Sequence, residues 1–344
     1  MLTATYHKRI LHFTETRHTS RDSLKSKPSF YIKLVDDKGN IGIGECSYLK
    51  GLSPEPWGSY EDKIKEVCTN INSWGSYIHG GLNNWPSVQF GLETALKHLE
   101  KKSFNLFDTS FSKGKSSLTI NGLIWMDDYA KMKKAIDEKI NQGFSCIKLK
   151  IGAIDFQKEL DLLEYIRSKS KDITIRVDAN GAFSPTEALS KLHDLAQYNI
   201  HSIEQPIKQK QWNEMEILCK ESPIPIALDE ELIGLFDYEQ KEEMLTSIKP
   251  QFIILKPSLI GGFKGSKEWI DLAHKYSIGW WITSCLESNV GLNAIAQFVS
   301  QYSNLIPQGL GTGQIYTNNI PSGLILDGEK LTHNSTKWKI DELL

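Results

Sequence analysis

From residue 118 onward the chain alternates strand-like and helix-like segments in phase, and this alternation restricts its fold more than any other feature. Apolar, β-rich runs occupy residues 118–123, 146–150, 173–177, 202–204, 226–228, 252–255, 279–283 and 305–309. Amphipathic stretches lie between them. Phe156, Leu160, Leu163 and Ile166 recur at helical spacing. Ser184-Pro185-Thr186-Glu187 supplies a capping box and a proline at the first helical position, and Ala188, Leu192 and Leu195 continue that helix. Alternation of this kind builds βα units and a parallel sheet. Eight such units either close into a barrel or spread as an open doubly wound sheet. The open sheet would carry GxGxxG after its first strand. Gly42-Ile43-Gly44 lacks the third glycine and falls between two strand patterns, and GxxxxGK[ST] does not occur. The expected architecture is α/β, a (β/α)8-type barrel of the modified TIM kind.

Residues 1–115 read differently. Two strand patterns, 30–35 and 41–46, flank the turn signal Asp36-Asp37-Lys38-Gly39-Asn40, and helical patterns follow at 60–71 and 88–101. The expected organisation is an α+β capping domain over 1–115, a barrel over 116–313, and a segment 314–344 that packs back on the cap. Within the cap, two loops at about 14–27 and 46–57 are candidate lids over the barrel mouth. The first carries Arg17, His18, Arg21 and Lys25. Such a stretch serves equally as a solvated loop. Tyr48 and Trp57 either line the pocket or pack the cap.

Composition narrows the function. Forty Lys plus Arg against 42 Asp plus Glu give a net charge of −2, which excludes a broad basic surface for nucleic acid. Only five of the cations are Arg. The five cysteines show no CxxC, metal-finger or disulfide spacing, so a reducing cytoplasm is expected. Residues 1–14 hold no signal-like apolar core, and no run is long enough for a membrane span. The expected partner is a small molecule, without nucleic acid or membrane; a homo-oligomer is compatible with all of this.

The charged residues fall where barrel chemistry is done. Lys148 and Lys150 close the second strand, Asp178 follows the third, Glu204 ends the fourth, Asp229 follows the fifth and Lys256 follows the sixth. The steps from Lys150 are 28, 26, 25 and 27 residues, one βα unit each. Six ionisable groups thus reach the C-terminal ends of consecutive strands, the active-site end of such barrels. Three neighbouring carboxylates need a cation, or one of them protonates. Their hard oxygens suit Mg²⁺, for which Mn²⁺ could substitute. Lysines flanking that metal point to proton abstraction beside a carboxylate, with the metal stabilising the enediolate.

Lys148-x-Lys150, Asp178-x-Asn180, Glu204-Gln205-Pro206, Asp229-Glu230 and Lys256 resemble the barrel pattern of the enolase superfamily, muconate-lactonizing subgroup. That superfamily is known for a Lys or His base working with Mg²⁺. None of the nine histidines follows the seventh strand, where Ile282-Thr283-Ser284-Cys285 stands, so the two-lysine branch is the match. The segments 256–262, 284–291 and Gly309-Leu310-Gly311-Thr312-Gly313 are similar to those of the o-succinylbenzoate synthase family.

The resemblance implies that Asp178, Glu204 and Asp229 bind Mg²⁺. Lys150 removes the α-proton, and Lys256 stabilises the anion by charge. Lys148, Asn180, Ser284, Ser288, Gly311 and Thr312 contact a carboxylate substrate, while Glu230 buttresses the site from behind. The implied reaction is syn-dehydration of 2-succinyl-6-hydroxy-2,4-cyclohexadiene-1-carboxylate to o-succinylbenzoate in menaquinone biosynthesis. The alternative is an N-acylamino acid racemase or dipeptide epimerase. Dipeptide epimerases of the superfamily carry Asp-x-Asp where this chain has Gly311-Thr312-Gly313, which argues for an anionic rather than a cationic ligand. The same glycines could simply shape a loop. A catalytically dead barrel would lack at least one ligand or lysine, and none is missing.

Overall fold

A three-stranded antiparallel sheet opens the chain, with β1 (Thr3–His18), β2 (Ser23–Val35) and β3 (Ile41–Cys46) in that order. This is a computed structural model, and it describes residues 1–18, 23–303 and 306–339. Residues 14–18 and 23–27, expected as loop, are strand on both arms; Arg21 lies outside the described residues. Helices Trp57–Thr69 and Pro86–Lys101 cover one face of the sheet. Phe30, Ile32, Leu34, Tyr60, Ile64, Val88, Leu92 and Ala95 bury a core of their own between them.

Gly42 and Gly44 let β3 lie almost against helix Pro86–Lys101. A Cβ on Gly44 would stand 1.9 Å from the Gly91 carbonyl oxygen, and one on Gly42 would stand 2.1 Å from that of Ala95. The obstacles are backbone, so no side-chain adjustment relieves them. Gly44→Ala should cost about 3 kcal/mol, read as a lower urea midpoint for unfolding. An unchanged midpoint would mean that the helix and sheet are not in this close contact.

The barrel follows. β4 (Leu118–Thr119) leads into seven parallel strands: β5 (Gly122–Ile124), β6 (Cys146–Lys150), β7 (Thr174–Asp178), β8 (Ile200–Glu204), β9 (Ile226–Leu228), β10 (Phe252–Leu255) and β11 (Gly279–Ile282), ordered as in the chain. Gln308 and Gly309 are the eighth stave. Gln308 bridges Ile120 and Gly309 bridges Thr283, both parallel. Asn121 N donates to Gln308 O at 2.9 Å, and Gly309 N donates to Ile282 O at 2.8 Å. Leu305, placed in the eighth strand from sequence, lies outside the described residues.

Each of the first seven staves hands the chain to a helix, and polar residues fix where several of those helices start. Asp128 caps Tyr129–Asn141, Asp155 caps Phe156–Lys169, and Ser184 with Glu187 forms the expected capping box of Pro185–Ala196. Period two along the strands sends Ile147 and Leu149 into the apolar layer beneath the helices, and Lys148 and Lys150 to the opposite face. The expectation of a (β/α)8-type barrel is met.

The final segment was expected to pack on the cap, but it divides. Residues 315–318 run beside β1: Thr14 N donates to Ile315 O at 2.8 Å and Thr317 N to His12 O at 2.9 Å. Trp338 stacks on Phe104 at 3.9 Å between centroids. In between, β12 (Leu324–Asp327) and β13 (Lys330–His333) form a hairpin on β4 at the start of the barrel. The reason is local: Lys330 and Leu331 pair with Thr119 and Leu118 of β4, and Leu324, Leu326 and Leu331 pack the hairpin onto the barrel core.

Candidate active site

The C-terminal ends of the staves open into a cleft of about 550 Å³. Lys148, Lys150, Asp178, Asn180, Glu204, Glu230 and Lys256 line it, together with Ser284, Gly311 and Thr312. Five of the six phased ionisable residues therefore converge on the cleft, and the sixth, Asp229, lies behind it as the partner of Lys256. Asp178, Glu204, Asp229 and Glu230 are each no more than 2% exposed.

Two groups of contacts bind them. Lys148 Nζ donates to Asp178 Oδ2 at 2.8 Å and to Glu204 Oε2 at 2.5 Å. Lys150 Nζ donates to Asp178 Oδ2 at 3.1 Å and to Asn180 Oδ1 at 2.6 Å, and Asn180 Nδ2 donates to Glu230 Oε1 at 3.0 Å. On the other side, Lys256 Nζ pairs with Asp229 Oδ2. Three strands, β7, β8 and β9, separate the two lysine-bearing sides.

Charge and burial compete throughout. Burial by itself would push the Lys148 ammonium down, but Asp178 and Glu204 outweigh it and hold its pKa above the usual lysine range. Lys256 is held high in the same way, by Asp229, Glu230 and Glu204 acting against burial. Burial raises Asp178 too, yet Lys148 and Lys150 reverse this and keep the carboxyl well below the usual range. Glu204 goes the other way. Its burial, reinforced by the Asp178 charge, raises it well above the ordinary value. Three carboxylates crowd one site and one of them resists ionisation, as like charges must without a cation.

Among the described residues no set of three or more His, Cys, Asp or Glu side chains stands as a ready-made metal cage. The donor chemistry nevertheless fits a hard divalent cation, since all three candidates are carboxylates. Glu204 Oε1 is buried and has no hydrogen-bond partner, which is costly unless a cation or water meets it.

One expectation needs correction, and two readings left open by the sequence receive a structural answer. Ser288 does not reach the cleft. Its Oγ donates to Glu45 Oε2 at 2.5 Å, and Ser288 caps helix Asn289–Val299 by accepting from Val290 N. The signal was ambiguous because a serine before a helix is a cap as readily as a ligand. Gly311 lines the cleft, but a Cβ there would meet nothing closer than Ile120 Cδ1 at 3.5 Å, so close backbone approach does not demand glycine. Of the two readings for Tyr48 and Trp57, the structure shows the second: their rings pack against each other in the cap, centroids 4.8 Å apart and tilted by 39°, and do not line the cleft. Arg17 does line it, with its guanidinium 5.6 Å from the Trp125 ring centroid. Lys25 is exposed.

The description "Enolase C-terminal domain-like" matches residues 131–326 of this chain. An o-succinylbenzoate synthase of Desulfotalea psychrophila is 44% identical to it, over 94% of this chain and 96% of its own length. The chain belongs to the o-succinylbenzoate synthase family. The crystal structure of MenC from the same organism superposes with a TM-score of 0.81 at 43% identity, covering 96% of this chain and 99% of that one. A dipeptide epimerase from Cytophaga hutchinsonii, complexed with Mg and the dipeptide D-Ala-L-Val, superposes with a TM-score of 0.86 over 99% of this chain and 97% of its own. At 19% identity that likeness shows the enolase-superfamily fold alone.

In this o-succinylbenzoate synthase family member, several cleft residues escaped the sequence reading. Asn121, Leu123 and Trp125 line the cleft from the first stave, and Trp281 and Thr283 from the seventh. Both sets follow period two, so extending the alternation already used for Lys148 and Lys150 would have found them. Leu286 and Leu49, on loops, carried no such signal.

Proposed function

We propose that this chain dehydrates 2-succinyl-6-hydroxy-2,4-cyclohexadiene-1-carboxylate to o-succinylbenzoate, a step of menaquinone biosynthesis, with Mg²⁺ as cofactor. The likeness to the Desulfotalea psychrophila o-succinylbenzoate synthase, 44% identical over nearly the whole chain, carries this reading. The two lysine-bearing sides of the carboxylate cluster agree with it.

Asp178, Glu204 and Asp229 are the residues that would hold Mg²⁺. Bound there, the cation supplies positive charge to the substrate carboxylate as the neighbouring carbon loses its proton. Lys150, as the free amine, takes that proton. The electron pair of the broken C–H bond then forms the new ring double bond as the C–O bond breaks. The hydroxide leaves from the same face and collects the proton from Lys150, so one residue serves both transfers. Lys256 stays charged on the other side and stabilises the anion between the two steps. Lys148 stays charged as well and draws the substrate carboxylate. Asn180 fixes Lys150 through the 2.6 Å hydrogen bond, and Glu230 fixes Asn180. The product ring is aromatic, so the elimination is strongly downhill and one base suffices.

Ser284, Gly311 and Thr312 form the wall that would face the substrate's second carboxylate. Thr312 Oγ1 donates to Ser284 Oγ at 2.8 Å. The Cβ of Gly311→Asp has room, but its carboxylate places an anion in that wall. It should raise KM at least about tenfold while kcat changes little. An unchanged KM would put the carboxylate elsewhere. The racemase or epimerase alternative is less well supported: the epimerase neighbour shares only the fold, and residues 311–313 carry no acid.

A cytoplasmic setting suits the five cysteines, all free and buried. No helix among the described residues is long and apolar enough to cross a membrane. The deciding assay follows loss of the cyclohexadiene chromophore with and without EDTA. Turnover that needs metal supports the function, and none with Mg²⁺ present overturns it.

A further inference from the structure

Lys27 is a lysine on β2 of the cap, only 3% exposed, and no step of the reaction uses it. A buried ammonium is expensive unless its protons find acceptors. Lys27 Nζ donates to Ser47 Oγ at 2.5 Å and, across 259 residues of chain, to the carbonyl of Leu286 at 2.9 Å. The same carbonyl accepts a second hydrogen bond, from the Tyr316 hydroxyl at 2.7 Å. Leu286 needs such a grip. Its φ is +58°, in the left-handed region that a side chain other than glycine or asparagine seldom occupies. Strained residues of this kind persist where the surroundings over-determine them, and they gather at binding sites.

Leu286 lines the cleft. Its neighbours are held just as firmly. Glu287, fully buried, accepts from Ser284 Oγ, Ser258 Oγ and Cys285 N at 2.6, 2.6 and 2.7 Å. Ser258 stands two residues after Lys256, so the 284–288 loop shares its anchorage with the segment that carries that lysine. Glu287, Glu45 and, facing Cys285, Glu55 are the acidic groups nearest this node.

We propose that Leu286 is a specificity-determining residue, an apolar wall for the hydrocarbon part of the substrate. Lys27 is the positioning residue that holds it, reaching from the cap through the Leu286 carbonyl. Tyr316, on the returning C-terminal segment, acts with it. The cap thus sets the shape of the barrel's own wall, in addition to covering the mouth. This rests on the proposed function for the identity of the substrate but not for the mechanics of the loop.

The test uses the full chain and four variants: Lys27→Met, Tyr316→Phe, Leu286→Gly, and Lys27→Met with Leu286→Gly. Losing a charge-assisted hydrogen bond predicts about a tenfold rise in KM for Lys27→Met, with kcat within about threefold. Tyr316→Phe, which keeps the ring against Phe13, should raise KM about threefold. It is also the variant to rely on if Lys27→Met does not fold. Leu286→Gly removes both wall and strain, so Lys27→Met should add little in that background. Full additivity of the two substitutions overturns the proposal.

A second readout needs no substrate. Amide hydrogen exchange over residues 284–288 should quicken at least about tenfold in Lys27→Met and measurably in Tyr316→Phe, with the β6–β8 amides unchanged. Unaltered exchange in the loop sinks the proposal. If the wild type fails to dehydrate while the variants still show faster loop exchange than it does, the proposed function is refuted and the positioning role stands.

Discussion

Lys150→Arg should reduce dehydration by at least about 10³-fold, whereas Lys256→Arg should leave it readily measurable. A positioned general base contributes roughly 10² to 10⁴ in rate, and arginine has essentially no basic form at neutral pH. At position 150 that loss is complete, because one base performs both proton transfers of a syn elimination. At position 256 the need is for positive charge, and arginine keeps it. Lys256→Met removes the charge and should cost a few kcal/mol of barrier, on the order of 10²-fold or more. It also leaves buried Asp229 without its ammonium partner, so thermal unfolding must be compared before kinetics are read. Racemisation of an N-acylamino acid separates the roles further. It needs a base on each face, so both Arg variants should fail in it. Equal dehydration by Lys150→Arg and Lys256→Arg would remove Lys150 as the base. Racemisation far faster than dehydration in the wild type would remove the function itself.

The second large effect belongs to the carboxylates. Asp178→Ala, Glu204→Ala or Asp229→Ala should each abolish turnover, by about 10³-fold or more, since the cation they would hold supplies several kcal/mol of charge stabilisation. Asp178 also anchors both Lys148 and Lys150, so its alanine variant frees two buried ammonium groups and should lose stability as well. Asp178→Asn keeps the shape and an acceptor oxygen, so comparing it with Asp178→Ala separates lost packing from lost charge. Thermal unfolding gives an independent reading. A hundredfold excess of Mg²⁺ over its Kd stabilises the folded chain by about 2.7 kcal/mol, and that increment should vanish in each variant. A wild type equally active in EDTA would overturn the metal assignment.

The barrel and its charged rim were legible in the sequence because both repeat. Steps of 25 to 28 residues place Lys150, Asp178, Glu204, Asp229 and Lys256 at equivalent points of successive units, and equivalent points of a closed barrel face one volume. What does not repeat was harder to see. The eighth stave, read from the sequence at 305–309, is held by bridges at Gln308 and Gly309 alone, bounds that no period could set. Ser288 carries the same chemistry as a helix cap and as a ligand, and only its 2.5 Å contact with Glu45 distinguishes them. Lys27 reads in sequence as one more surface lysine. Its burial depends on Leu286, which lies far along the chain, so no local pattern records it. Gly42 and Gly44 were correctly excluded as a nucleotide fingerprint, but their actual use, the close approach to helix Pro86–Lys101, is a tertiary fact.

The strand that residues 315–318 cover has a consequence for how the chain is made. β1 is an outer strand of the cap sheet, sixteen residues long. Around His12–Thr14 its free side is met by backbone from residues 315–317, through Thr14 N to Ile315 O and Thr317 N to His12 O. On a ribosome the cap emerges first, while that covering segment is still to be synthesised. For most of translation β1 therefore presents unpaired amides, which is the template on which strands of separate chains associate. The 315–318 segment closes that stretch once it has been made. Nascent chains stalled before residue 315 should accordingly aggregate or recruit holdase chaperones, and chains released beyond residue 318 should not.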